Sequence, residues 1–184
     1  MGHRLYDVNL RRNTMDKVAG YSEEIIRVSL ELATVVKMNE AELEEVALML
    51  NLRSAERDQD NRVWDLMETI QHDYDLTALA LTRGALGARL LVMDTRLQLA
   101  DSELPADCVH PVGGGDSFAA GLLFGIVRGW SLEDSLALAD LLSRWVVTNV
   151  MAAPIFTSEL LSQICSLVAR CDVEAASREH PLQI

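Results

Sequence analysis

An α/β fold with a mostly parallel central sheet is the architecture this sequence predicts, and two observations carry it. Short apolar runs of strand length alternate along the chain with longer segments whose apolar residues recur at helical spacing. The composition agrees: 49% hydrophobic residues and only 5% aromatics, with Leu, Ala and Val dominant, suit helices packed on a buried sheet better than a β-sandwich. At 184 residues the chain can bury one substantial core, so a single domain over 1–184 is expected.

Residues 4–10 read as a short strand. Ser22 caps a helix continuing from Glu23 through Leu32, and Thr34 to Met38 is a buried strand. Asn39-Glu40-Ala41-Glu42 then opens an apolar run through Leu50. With Asn39 as cap and Glu42 at the third helical position, this is a relative of the capping box. Asn51 to Asn61 is a polar loop leading to a second amphipathic helix, Val63 to Tyr74. Thr77 to Thr82 is a strand ending in the turn Arg83-Gly84-Ala85-Leu86-Gly87, which leads to the apolar Ala88 to Met93 and on to Arg96 to Leu99. Turn chemistry alone explains Gly84 and Gly87.

Pro105 and Pro111 bracket an extended stretch that feeds Gly113-Gly114-Gly115. Beyond Asp116 one helix runs to Val127 and ends at Gly129. Ser131 with Asp134 caps another from Leu132 to Val150, which Pro154 stops. Gly121 and Gly125 are spaced for close helix packing. A last helix covers Ser158 to Ala169, and 171–184 is expected to be a frayed tail.

The net charge of −12 argues against general nucleic-acid binding, which needs clustered Lys and Arg. No apolar run is long enough to span a bilayer and no secretory leader pattern is present, so the expected location is cytoplasmic, with no membrane partner. Cys108, Cys165 and Cys171 lack Cys-x-x-Cys spacing, which points to reduced thiols rather than a disulfide framework or structural zinc. The four histidines show no His-Glu-x-x-His pattern.

The most informative stretch is Gly113-Gly114-Gly115-Asp116. Consecutive glycines let backbone N–H groups approach a phosphate, and the start of the following helix attracts negative charge. Asp116 at that start is either an N-cap or a proton acceptor. A simple turn needs one residue of positive φ, so three glycines are better explained by close backbone approach to a ligand. Neither a Walker lysine nor Gly-x-Gly-x-x-Gly is present.

Gly113-Gly114-Gly115-Asp116-x-Phe118-x-Ala120-Gly121 resembles the C-terminal signature of the ribokinase-like (PfkB) carbohydrate kinases. Three further stretches match in the same order. Asp7-x-Asn9-x-Arg11 resembles the family's Asp-x-Asn-x-Arg strand, Lys37-x-Asn39-x-x-Glu42 its Lys-x-Asn-x-x-Glu, and Thr82-x-Gly84-x-x-Gly87 its Thr-x-Gly-x-x-Gly. The Asp-x-Asn-x-Arg strand is similar to that of fructokinase-like and 2-keto-3-deoxygluconate kinase-like members.

The resemblance implies a three-layer α/β/α ribokinase-like fold and ATP-dependent phosphorylation of a sugar hydroxyl. It makes Asp116 the catalytic base and the loop Gly113, Gly114, Gly115 the anion hole. Asn39 would lie near the nucleotide phosphates, and Glu42 would hold Mg²⁺ through water. Thr82, Arg83, Gly84 and Gly87 would contact the nucleotide, and Asn9 and Arg11 the sugar or phosphate. Asp140 stands where an Asn or His of the family commonly approaches adenine, although a carboxylate there accepts but does not donate hydrogen bonds unless protonated. His110 and Pro111 replace an Asp and a Thr, and Met151 a Gly, which weakens the monovalent-cation site of many relatives. All matched stretches belong to the family's C-terminal portion, so the expectation is half an active site, truncated at the N-terminus. A non-catalytic fragment or pseudokinase is the other reading. An exposed sheet edge at the truncated side would promote pairing, in a homodimer for instance.

Overall fold

In the computed structural model of the chain, the described residues are 2–10, 22–93, 95–99, 112–149, 151 and 154–177. Arg11, His110, Pro111, the stretch between Pro105 and Pro111, and residues 178–184 lie outside them. Contacts group the chain into two compact units where a single domain is expected. One comprises Met1–Arg83 with Ala88–Gln98, the other Gly84–Gly87 with Leu99–Ile184.

The first unit is an α/β layer built on a five-stranded sheet. Its strands are β1 (Leu5–Asp7), β2 (Val35–Asn39), β3 (Ala78–Thr82), β4 (Ala88–Val92) and β5 (Thr95–Gln98), side by side in chain order. β1, β2 and β3 pair in parallel, while β3–β4 and β4–β5 pair antiparallel. The sheet is therefore mixed, and connection length explains the switch. A parallel crossover needs a dozen or more residues, whereas β3 and β4 are joined by a tight turn.

Three helices complete this unit: α1 (Glu23–Leu32), α2 (Glu40–Met49) and α3 (Gln59–Asp73). Each begins where a side chain can satisfy an orphan backbone N–H. Ser22 accepts from Ile25, Asn39 from Glu42 and Asp58 from Asn61, contacts worth about 1 kcal/mol each. Ile26, Leu43, Val46, Val63, Met67 and Ile70 from the three helices share a core with Val36, Met38, Leu79, Leu81 and Leu91. The three helices thus cover one sheet face. α3 starts at Gln59, capped by Asp58 and ahead of the expected Val63, because its first turn is polar and carries no apolar period.

The second unit contains α4 (Gly114–Val127), α5 (Leu132–Val147) and α6 (Ser158–Ser177). α4 and α5 approach closely, as the Gly121 and Gly125 spacing predicts. A Cβ on Gly121 would lie 2.8 Å from Ala139 Cα, and one on Gly125 2.8 Å from Ser135 Cα. Ser131 caps α5 through the Asp134 N–H, and Gly129 takes φ +70° in the connection. α6 continues to Ser177, well into the tail expected to fray from 171. Packing explains the extension: Cys171 is buried beside Trp130 and Leu138, and Asp172 bonds Arg128 and Trp130.

Candidate active site

In the first unit the parallel strands β1, β2 and β3 end along one rim of the sheet, the place where open α/β sheets bind ligands. Asn39 and Thr82 are register partners at this rim, and Thr82 Oγ1 donates to the Met38 carbonyl at 3.4 Å. Asn9, just past β1, has φ +43°, a left-handed conformation that Asn tolerates better than most residues. It is bracketed on both sides. The Val8 N–H donates to the Lys37 carbonyl at 3.0 Å, and the Leu10 N–H donates to Glu42 Oε1 at 2.9 Å.

Two ties join the β1 and β2 motifs. Lys37 Nζ donates to both Asp7 oxygens, at 3.1 and 3.3 Å, and both side chains are largely buried. Glu42 forms the other tie. Its Oε2 accepts the Asn39 N–H at 2.8 Å, closing a full capping box, while its Oε1 holds Leu10. The signal for the ion pair was present in the sequence, since Asp7 and Lys37 lead the two motifs.

This geometry bears on which groups could hold a metal. Mg²⁺ demands near-octahedral oxygen ligation. Glu42 is only 7% exposed, and each of its oxygens already accepts a backbone N–H. Among the described residues no group of three or more His, Cys, Asp or Glu could hold a metal ion. With one N–H on each oxygen, neither Glu42 oxygen is free of protein contacts, and a cation held through water would use the lone pairs that remain. Arg83 is similarly engaged: its Nε donates to Glu40 at 2.7 Å and its guanidinium pairs with Asp60.

In the second unit, Gly113 is the N-cap of α4 with φ +87°, a conformation that requires glycine. No side chain caps this helix. Its first N–H groups, at Gly114, Gly115 and Asp116, have no intrahelical acceptor, and the positive end of the helix dipole there favours negative charge. Gly114 is seated against α5, where an added Cβ would lie 2.8 Å from Val147 Cγ1. Asp116 occupies the first turn rather than the cap. It is exposed and has no hydrogen-bond or ion-pair partner among the described residues. Capping therefore does not account for Asp116, and an unengaged carboxylate beside open backbone donors can accept a proton.

The Gly84–Gly87 turn is closed by the Gly87 N–H donating to the Gly84 carbonyl at 3.1 Å, and both glycines have positive φ, +58° and +77°. Asp140, on α5, is paired with Arg144 one turn later at 2.6 Å. A purine amine would have to compete with that guanidinium.

Comparison with known proteins places these features in a wider setting. Residues 4–157 match the description of the pfkB family carbohydrate kinases. The chain is 29% identical over 140 residues to the cytidine kinase of Thermococcus kodakarensis, covering 73% of this chain and 48% of that protein. It is 26% identical over 113 residues to the nucleoside kinase of Methanocaldococcus jannaschii, covering 61% and 32%. Among solved structures, the Methanocaldococcus jannaschii nucleoside kinase superposes with TM-score 0.62 at 21% identity, over 88% of this chain and 48% of that one. Thermotoga maritima ribokinase superposes with TM-score 0.65 at 15% identity, over 90% and 49%. The chain spans half or less of the length of these relatives.

Proposed function

The chain belongs to the pfkB family of carbohydrate kinases, and on that footing we propose that it carries the nucleotide-binding and catalytic portion of an ATP-dependent kinase acting on a sugar hydroxyl. The observation that supports this reading best is the start of α4, where Asp116, without a partner among the described residues, stands beside the first backbone N–H groups of the helix. In the proposed step Asp116 takes the proton of the acceptor hydroxyl as its oxygen attacks the γ-phosphorus of ATP, and ADP leaves. The Gly113, Gly114 and Gly115 loop stabilises charge on the transferring oxygens. Positioning and electrostatics of this kind carry most of the rate in phosphoryl transfer.

Asn39, Thr82, Arg83, Gly84 and Gly87 are proposed to contact the nucleotide, with Arg83 acting through its backbone because Glu40 and Asp60 occupy its side chain. Asn9 and Arg11 are proposed to face the acceptor. Asp140 is the weakest member of the set, since Arg144 already holds it. Members of this kinase family use ATP, typically with Mg²⁺. The acceptor class includes the ribose of nucleosides as well as free sugars, because the similar proteins include a cytidine kinase and a nucleoside kinase.

The test is ADP release from MgATP with a panel of free sugars and nucleosides. Turnover with one acceptor class that disappears in D116N supports the reading. No ADP release with any acceptor, together with no MgATP binding by calorimetry, would leave a non-catalytic pfkB-type module. Self-association belongs to the same proposal. Among the described residues β1 has one unpaired edge, and Ile25, Val28 and Leu32 expose an apolar stripe on α1. A solution mass of 20.4 kDa by light scattering would refute pairing.

A further inference from the structure

We propose that Glu42 is a positioning residue that locks the acceptor-side loop at Asn9 to the nucleotide-side residue Asn39. Its two oxygens accept N–H groups from two different strand ends, Leu10 after β1 and Asn39 at the end of β2. The Leu10 contact spans 32 positions. A capping box needs only the Asn39 bond. The second bond does something else: it fixes the residue that follows Asn9.

Asn9 is the reason this matters. A left-handed residue other than glycine persists only where its surroundings over-determine it. Those surroundings include the Val8 N–H on the Lys37 carbonyl and the Leu10 N–H on Glu42. The Asp7–Lys37 pair adds a second tie between β1 and β2. Glu42 thus ties the backbone after Asn9 and the start of α2 at Asn39 together. Its role in phosphoryl transfer rests on the function proposed above, whereas the coupling itself belongs to this chain alone.

Glu42→Gln separates the two bonds. Glutamine serves a capping box as glutamate does, so Asn39 stays tied, while only one carbonyl oxygen remains and Leu10 loses its acceptor. Amide hydrogen exchange on the whole chain should show the Leu10 N–H exchanging about tenfold faster in E42Q, with Asn39 still protected. In E42A both should lose protection, and MgCl₂ alone should change neither amide in the unsubstituted chain. Where turnover is measurable, E42Q should raise the acceptor KM.

Opposite results overturn the proposal. One is Leu10 and Asn39 amides that MgCl₂ alone deprotects in the unsubstituted chain. Another is Leu10 protection unchanged in both variants. The exchange measurements need no turnover, so an inactive chain would count against the proposed function and not against the coupling.

Discussion

Trp130 donates its indole N–H to the Asp172 carboxylate at 2.8 Å across 42 positions, anchoring α6 to the end of α4. Arg128 holds the same carboxylate through both oxygens. The Arg128 bonds first, and the Trp130 bond second, lower the Asp172 pKa from its ordinary 3.8 to about 2. A carboxylate whose pKa falls on folding stabilises the fold above its unfolded pKa and loses that contribution as pH drops through the folded one. The melting temperature should therefore fall between pH 4 and pH 2 less steeply in D172N than in the unsubstituted chain. Superimposable pH profiles for the two proteins would rule this out.

Asp60 is more exposed than its importance suggests. Its carboxylate pairs with Arg89, whose side chain is 0% exposed and lies 4.8 Å over the Trp64 ring. Removing the carboxylate strands a buried cation, which keeps only the Asp60 carbonyl, Gln98 and the ring. D60A should destabilise the chain by about 2 kcal/mol or more, against the few tenths usual for a surface carboxylate. Urea denaturation measures the difference, and a loss below half that size would show that the ring and carbonyl suffice.

At the start of α4, the acid and the glycine should separate chemistry from structure. D116N removes the proton acceptor from a residue without partners, so turnover should fall by about 10²–10⁴-fold with melting temperature and ATP affinity nearly unchanged. G113A forces a left-handed conformation on alanine, costing about 1–2 kcal/mol, and should weaken ATP binding as the loop distorts. Calorimetric ATP titration of both variants distinguishes these effects; equal loss of affinity in the two would merge the roles assigned to them.

Close packing of α4 on α5 should make Gly125 intolerant. An added methyl would meet Ser135 Oγ at 2.4 Å and Ser135 Cα at 2.8 Å, and a backbone atom cannot rotate away. G125A should cost about 1–3 kcal/mol, the range for overpacked sites, and S135G should recover only part of it. Full recovery by S135G would place the clash at the side chain alone.

What the sequence reveals depends on distance along the chain. The caps at Ser22, Asn39 and Ser131 are legible because each bond spans three positions, and the glycines at 121 and 125 are legible because helical spacing puts them on one face. The site motifs of the first unit are legible as strand ends, and Asn39 and Thr82 do lie side by side there. The antiparallel half of the sheet was readable too, from the shortness of the turn at Gly84–Gly87, although alternation of strands and helices suggests a mostly parallel one. Arg89 gave no warning: a charged residue within an apolar strand is buried because Asp60, 29 positions earlier, comes to meet it. The double use of Glu42 was hidden for the same reason, since its capping-box bond is local and its Leu10 bond is not.

The α4–α5 seam also limits how this protein can drift. Every single-nucleotide change that replaces a glycine codon with another amino acid adds a Cβ, and at Gly121 that atom would lie 2.8 Å from Ala139 Cα, backbone that no substitution on α5 can trim away. Variants at this seam therefore cannot be rescued one neighbour at a time; the two helices would have to move apart together. The helix capped by Gly113 is held in place by positions with no gradual path to an alternative, so lineages should keep them even where Asp116 is replaced.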